Sequence, residues 1–407
     1  MAQLICRRAQ LKDWQGIKEI IRSAFEDVVK HPDALDELQD ETWFSIDRWL
    51  VADLDGRVVS ALGLRPGVMW MQGIAMPTAT IGTVCTLAEM RGKGVGLDLM
   101  RCAGDVVKEE GLVLSRLHTW AQRYAFYGRA GYVKAITGHP DGTLNVTAIA
   151  PEVQRKADAD LGDGVIRPAI PRDAMRLNEI YEATFSKVTG CLSRNEHFFL
   201  RRIARHPKFW LWSSPKIDVV ETPGAGVVAY AAYVLDEERQ ELLEMAVLPR
   251  FSRMARVLAV HVAREAQRQG IRKLTTCIER SEPLGWLVHE FRIDLQPDAS
   301  VLFLEVHDEK RFLELVTPLL ERAAARHEVE LTLNLAGHGD IRIGGGQPVR
   351  VVTDVAHLAA LVYNGSWLAG LLGQGAVFVH PETVSAHQAV QSLFPDTHAY
   401  RCRMDGY

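Results

Sequence analysis

The sequence predicts an α/β (α+β) protein in which one strand-and-helix unit occurs twice and a third, smaller α+β unit follows. Three observations predict it. Arg7-Arg8-Ala9-Gln10-Leu11-Lys12-Asp13 leads into the amphipathic stretch WQGIKEIIRSAF, and Arg167-Pro168-Ala169-Ile170-Pro171-Arg172-Asp173 repeats the Arg, Ala and Asp at the same offsets before AMRLNEIYEATF. The stretches TVCTLAEMRGKGVGLDLM (Thr83 to Met100) and LLEMAVLPRFSRMARVLAVHVAREA (Leu242 to Ala266) each run from an apolar strand into a long helix. Beyond about residue 285 the texture changes to short alternating strands, SVLFLEVHD and EVELTLNLAG, then Gly344-Gly345-Gly346 and a helical stretch ending in a Gly-rich turn.

A chain of 407 residues with 47% hydrophobic content holds more than one core. EVQRKADADLGDG (Glu152 to Gly164) is polar and ends in glycine, which reads as a linker or loop. The expected domains are therefore 1–150, 151–285 and 286–407. A net charge of -4 offers no basic footprint for nucleic acid or an anionic membrane, so small molecules or cationic substrates fit better. The six cysteines lie far apart with no C-x-x-C pair, which argues against zinc and a disulfide framework and for a reducing, cytoplasmic setting. No metal is expected. The N-terminus lacks an apolar signal core, and the most apolar region, Val355 to His380, is broken by Asn364, Gly365 and Gln374, so neither secretion nor a membrane span is expected.

The chemistry concentrates at Arg91-Gly92-Lys93-Gly94-Val95-Gly96. Glycine tolerates positive φ and lets backbone approach a ligand, so a strand-to-helix junction of this kind can aim several N–H groups at one phosphate. The helix dipole adds roughly half a positive charge, and Arg91 and Lys93 add two full ones. A Walker A loop needs Lys-Ser/Thr after the last glycine, where Leu97-Asp98 stands; a Rossmann fingerprint needs G-x-G-x-x-G near the first strand of its unit. Neither fits. If Pro249 is set opposite Ala88, Gly94 falls on Ala255 and Gly96 on Val257, so the second copy lacks the glycines.

The remaining pattern, Arg-x-x-Gly-x-Gly after an apolar strand, resembles the acetyl-CoA loop of the GNAT acetyltransferases. Ala125-Phe126-Tyr127-Gly128-Arg129-Ala130-Gly131-Tyr132 resembles the Tyr-x-x-x-Gly-Phe/Tyr element that closes the same superfamily's domain. The glycine-bearing half, the half without the loop, and a C-terminal end (TDVAHLAALVYNGSWLAGLLGQGAVFVH, then AVQSLF) similar to the sterol carrier protein type 2 fold together resemble the enhanced intracellular survival family. FYGRAGY, GCLSRNEHFF (Gly190 to Phe199) and EPLGWL (Glu282 to Leu287) carry that narrower likeness locally. The resemblance implies two tandem GNAT-like domains, the second degenerate, followed by a sterol-carrier-like domain.

It also implies roles. Pantetheine would pair with backbone near Cys85, Thr86 and Leu87, the pyrophosphate would lie on Arg91 through Gly96, and Gln122 and Arg123 would touch the coenzyme again. Tyr127 would protonate the departing thiolate, which suits a phenol that titrates near about 10. Tyr124 and Tyr132 read as core packing. Cys85 raises the alternative of a covalent acetyl-enzyme, but no histidine is near in sequence, and direct transfer is the expectation. The family's C-terminal carboxylate, here on Tyr407, would take the amine's proton. An unperturbed carboxyl near about 3.5 and an amine near about 10.4 leave that step uphill by roughly 9 kcal/mol, so burial or a water must help. Glu26 to Glu41 carries seven acids against one lysine, either an acidic wall for a cationic acceptor or a solvated helix face; Glu26 is its first candidate contact. The expected acceptor is a small-molecule or peptide amine, of aminoglycoside, polyamine or lysine type, and the expected assembly is a homo-oligomer, a hexamer. The competing reading is a protein that senses acetyl-CoA and holds an apolar ligand in its C-terminal domain.

Overall fold

The computed structural model describes residues 4–25, 45–135, 141–204, 208–209, 212–213, 215–237, 239–276, 283–296 and 301–397. The described residues up to 135 and from 301 to 397 make one compact unit, and those from 141 to 296 make another.

Strands are numbered along the chain. The first unit's main sheet holds β1 (Leu4–Arg8), β2 (Trp49–Leu54), β3 (Arg57–Met71), β4 (Ile74–Thr86), β5 (Leu114–Thr119), β6 (Val133–Ala135) and β16 (Val301–Val306). Their order is β1-β2-β3-β4-β5-β16-β6, with β4 and β5 the parallel pair. Helix α1 (Trp14–Ala24) covers one face, where Trp14 meets Trp49 edge-on at 6.0 Å. Helix α2 (Val95–Glu109) covers the other through Val95, Leu99 and Ala103, which pack with Leu50, Ala52 and Ile81. This alternation of β2 side chains between two helical layers is what the period-2 strand geometry requires. The long β3–β4 hairpin turns at Gln72 and Gly73, both at positive φ (51° and 80°), the two-residue geometry that matches strand twist. A short helix, α3 (Tyr124–Arg129), joins β5 to β6.

The same unit's second sheet runs β18 (Gly339–Gly344), β17 (Val329–Leu335), β19 (Gln347–Thr353), β20 (Phe378–His380), with helices α9 (Glu309–His327), α10 (Val355–Tyr363), α11 (Leu368–Gly373) and α12 (Val384–Leu393). Helix α10 packs on β6 and β16, and Gln72 donates to the Val362 carbonyl at 2.7 Å. Its apolarity is that of a core element: Leu358 through Tyr363 are buried. Among the described residues no single helix is long and apolar enough to cross a membrane.

The second unit holds β7 (Asp141–Asn145), α4 (Pro151–Leu161), β8 (Val165–Pro168), α5 (Ala174–Phe185), α6 (Glu196–Ile203), a ribbon of β9 (Lys208–Phe209) and β10 (Trp212–Ser213), β11 (Lys216–Thr222), β12 (Gly226–Leu235), β13 (Gln240–Val247), α7 (Met254–Arg268), β14 (Lys273–Thr276), α8 (Trp286–Glu290) and β15 (Asp294–Gln296). Its sheet order, β8-β11-β12-β13-β14-β7-β15, follows that of the first unit strand for strand. The repeated Arg…Asp spacing has a structural cause. Arg7 binds Asp13 and Arg167 binds Asp173 with the same pair of contacts, 2.6 and 3.0 Å, and each Asp also accepts from a backbone amide three residues earlier.

Three expectations are corrected. The boundaries at 150 and 285 do not hold, because β7 precedes the first yet pairs with β14 and β15, and β16 follows the second yet pairs with β5 and β6. SVLFLEVHD therefore belongs to the first main sheet and not to the C-terminal one. The polar stretch after Pro151 is a helix: proline starts it, Val153 and Ala157 bury one stripe, and Asp158 and Asp160 bind Arg264 and Arg256 of α7. Its polarity marks an outward face, and Gly162 at φ 53° ends it.

Candidate active site

The glycine turn follows β4 through a short 3-10 turn, Ala88–Met90. Gly92 and Gly94 sit at φ 75° and 86°, and a Cβ on either would meet nothing within 4 Å. Their glycines are needed for backbone conformation, in a region that L side chains rarely adopt. Gly94 caps α2: its carbonyl accepts from Leu97 and Asp98 (2.9 and 3.1 Å), so the amides of Val95 and Gly96 have no intrahelical acceptor. Gly96 is needed for packing, since its Cβ would lie 3.3 Å from Phe126 of α3 and 3.4 Å from the Thr86 hydroxyl. The exposed side chain of Arg91 folds back to the Thr86 carbonyl (Nε to O 3.1 Å), and Lys93 is exposed beside it. Asp98, in the first turn, is paired with Arg101 at 2.7 Å, which blunts its repulsion of an anion.

The strand leading to this turn is opened on one side. β4 pairs with β5 only at Thr78, Ala79 and Thr80. Beyond that point β4 keeps its pairing with β3 and β5 its pairing with β16 on the far edge, while the two facing edges no longer pair, so the sheet is open toward the glycine turn. Within the opened stretch β4 carries a bulge. Gly63 pairs with Gly82 and Ala61 with Cys85, which puts both Thr83 and Val84 opposite Leu62, and Thr83 has φ 53°. A β-branched residue at positive φ is an outlier that surrounding structure must hold in place.

Tyr127 of α3 lies against this opening, 8% exposed and within the α2-side core. Burial raises its phenol to about 12, with Arg123 and a hydrogen bond with Thr119 pulling the other way and Cys85 adding to the rise. It is therefore a neutral proton donor at physiological pH. Cys85 is buried too; burial lifts its thiol to about 12, and the sulfur contacts the Ala61 carbonyl at 3.6 Å. Such a thiol is a poor nucleophile. Ser60 donates to the Cys85 carbonyl and contacts the Thr86 hydroxyl (2.7 and 2.8 Å). Leu87 has left the strand: its amide donates to Val59 and its carbonyl accepts from Met90, so its amide is already committed. Gln122 and Arg123 lie exposed in the 3-10 turn Ala121–Arg123 that ends β5, one turn from Tyr127. Glu26 and Tyr407 lie outside the described residues.

The second unit has the counterpart of each part with different chemistry. Before α7 stand Ser252 and Arg253, both right-handed helical, in place of left-handed glycines. Gly131 (φ 99°) before β6 corresponds to Arg292 (φ 48°) before β15, which places Val288 where the first unit has Tyr127. On β13, next to the bulge residue Leu243, Glu244 takes both guanidinium donors of Arg194 (2.9 and 2.8 Å) and the Tyr230 hydroxyl, with both charged side chains fully buried. Arg194 stacks on Tyr181 and Phe198 at 3.9 and 4.2 Å. Breaking such a pair from one side costs about 3–5 kcal/mol.

Sequence reasoning missed Thr83, Thr119 and Phe126 as parts of the site. Nothing in TVCT marks a bulge, whereas the glycine at 96 could have pointed to a bulky neighbour. Among the described residues no cluster of His, Cys, Asp or Glu is arranged to hold a metal ion.

Comparison with known proteins agrees with this geometry. Residues 6–135 match the model of the acetyltransferase (GNAT) domain family. The whole fold resembles the GCN5-related N-acetyltransferase of Anabaena variabilis (TM-score 0.71, 16% identity, 97% of each chain). It also resembles that of Kribbella flavida (0.65, 20%, 97% of this chain and 96% of that one) and Eis1 of Mycobacterium abscessus (0.62, 16%, 96% and 97%). No curated protein matches by sequence. The chain thus contains a GNAT acetyltransferase domain.

Proposed function

We propose that this protein is an acetyl-CoA-dependent N-acetyltransferase that moves an acetyl group directly onto the amine of a cationic acceptor. One observation carries the reading: the opening between β4 and β5 has an anion-ready glycine turn at its mouth and a neutral phenol, Tyr127, on its flank. The coenzyme brings the acetyl group as a thioester with a good leaving thiolate. The pantetheine amides would pair with backbone of β4 near Cys85 and Thr86, with Arg91 giving up the Thr86 carbonyl as the coenzyme enters, and Leu87 contributes shape more than hydrogen bonds. The amides of Val95 and Gly96, with Arg91 and Lys93, receive the pyrophosphate, and the positive φ of Gly92 and Gly94 keeps that approach free of side chains. Gln122 and Arg123 close over the coenzyme from the end of β5.

Backbone N–H groups at the Thr83–Val84 bulge would polarise the thioester carbonyl. The amine nitrogen attacks the carbonyl carbon, the C–S bond breaks, and Tyr127 gives its proton to the sulfur. The high thiol pKa of Cys85 supports direct transfer over an acetyl-enzyme. On the family resemblance, the Tyr407 carboxylate takes the ammonium proton and Glu26 helps to attract the cation. The acceptor belongs to the aminoglycoside, polyamine or lysine class. The matched sheets support reading the chain as tandem GNAT-like domains of which the second is degenerate, and the C-terminal sheet with α9 to α12 as its sterol-carrier-like part. A hexamer, carried by the same resemblance, completes the proposal.

The test is thiol release from acetyl-CoA in the presence of a panel of aminoglycosides, polyamines and lysine peptides. Amine-dependent release is expected with at least one class. Binding of acetyl-CoA without release to any amine would contradict the reading.

A further inference from the structure

Behind Tyr127 the first unit holds a polar chain, buried except at its half-buried end Glu305, for which the proposed reaction has no use. Ser115 of β5, fully buried, contacts the Tyr132 hydroxyl at 2.6 Å and His307 Nε2 at 2.8 Å. Tyr132 is 3% exposed and also hydrogen-bonds Glu305, whose carboxylate lies 3.6 Å from the same His307 nitrogen. Glu305 belongs to β16 and His307 follows it. Tyr132 is tied to Tyr127 twice: its amide donates to the Tyr127 carbonyl at 3.1 Å, and the two rings pack edge-on at 6.2 Å. Gly131 between them admits the carboxylate, since a Cβ there would lie 2.8 Å from Glu305 Oε1.

A six-residue helix such as α3 cannot hold its own position, so Tyr127 depends on what anchors its two ends. The anchor at the C-terminal end is this chain. We propose that Glu305, acting through Tyr132, is a positioning residue for Tyr127, so that the inserted strand β16 sets the place of the general acid. The inference rests on the reading of Tyr127 as that acid.

The chain is satisfied in two directions. With Glu305 ionised, Tyr132 donates to Glu305, Ser115 to Tyr132, and His307 Nε2–H to Ser115. With Glu305 protonated, every donor reverses and His307 Nε2 becomes the acceptor. Burial raises Glu305 to about 7, Lys108 and Tyr132 opposing, so the reversal falls within the working pH range. Burial and Lys108 lower His307 to about 4, with Asp105 opposing, so His307 stays neutral across it. The groups around the pair are thus Lys108 from α2, which acts on both Glu305 and His307, Asp105 from α2, which acts on His307, Ser115 from β5, and Tyr132 with Tyr127 behind it; His307 itself lies just past the end of β16.

The experiment compares kcat and the acetyl-CoA KM between pH 5.5 and 9 for Glu305→Gln, Tyr132→Phe, the double variant and Tyr127→Phe. Tyr132→Phe is expected to lower kcat about tenfold with KM within about twofold, as for a slightly misplaced catalytic group. Glu305→Gln is expected to remove an inflection of kcat near pH 7 and to cost nothing further in the Tyr132→Phe background. Equal losses from Glu305→Gln in both backgrounds, or an unchanged inflection, would overturn the proposal. If Tyr132→Phe does not fold, the Glu305→Gln profile decides alone. Full turnover in Tyr127→Phe sinks the acid role and this inference with it; a crippled Tyr127→Phe beside a normal Tyr132→Phe sinks this inference only.

Discussion

Tyr127 and Cys85 titrate in the same direction for the same reason: both are buried beside the opening of the sheet, where a charged form loses its water. The consequence differs with the job. A protonated phenol is ready to donate, whereas a protonated thiol is disarmed as a nucleophile, so one environment favours the proposed direct transfer. The cluster behind them makes an opposed pair. Glu305 rises from 4.5 to about 7, so the stability it contributes is full below pH 4.5 and is lost as the pH rises through 7. His307 falls from 6.5 to about 4, so its contribution is full above pH 6.5 and is lost as the pH falls through 4. Glu305→Gln should therefore raise Tm relative to the parent protein at pH 8 more than at pH 5, by the equivalent of about 1–3 kcal/mol. A difference in Tm that does not change with pH would contradict the assignment.

At the scale of elements, the three glycines of one turn do two kinds of work, and substitution should separate them. Gly94→Ala forces a side chain into left-handed backbone with open space around it, at a cost of about 1–2 kcal/mol, and disturbs the amides of the helix start. It should raise the acetyl-CoA KM with little change in kcat. Gly96→Ala pushes on Phe126, one residue before Tyr127, and should lower kcat more than it raises KM. Steady-state kinetics on the two variants checks the split, and identical behaviour would show that the glycines share one role. The turn itself was legible in the sequence because glycine, charge and the strand-to-helix change coincide there. The repeated Arg and Asp were legible too, because one ion pair recurs in both units. The bulge at Thr83 was not, since it arises from register against β3 and leaves no mark on the side chains. The helix at Pro151–Leu161 was misread because only Val153 and Ala157 face inward.

At the scale of the molecule, the chain completes its first sheet late. VLFLEV announces a strand, but a strand's own residues do not say which sheet it joins, and β16 enters between β5 and β6 only after the second unit has been made. That exchange is what makes Tyr132, Glu305 and His307 neighbours, and no spacing rule brings residues so distant in sequence together. With Val288 at the place of Tyr127 and Ser252 and Arg253 at that of the glycine turn, the second unit lacks both parts of the proposed site. All acetyl transfer should then pass Tyr127. The most direct measurement is amine-dependent thiol release by Tyr127→Phe at saturating acetyl-CoA. With Tyr127 as the general acid, kcat should fall by about a hundredfold with the acetyl-CoA KM within about threefold; a kcat equal to that of the parent protein would rule out that role.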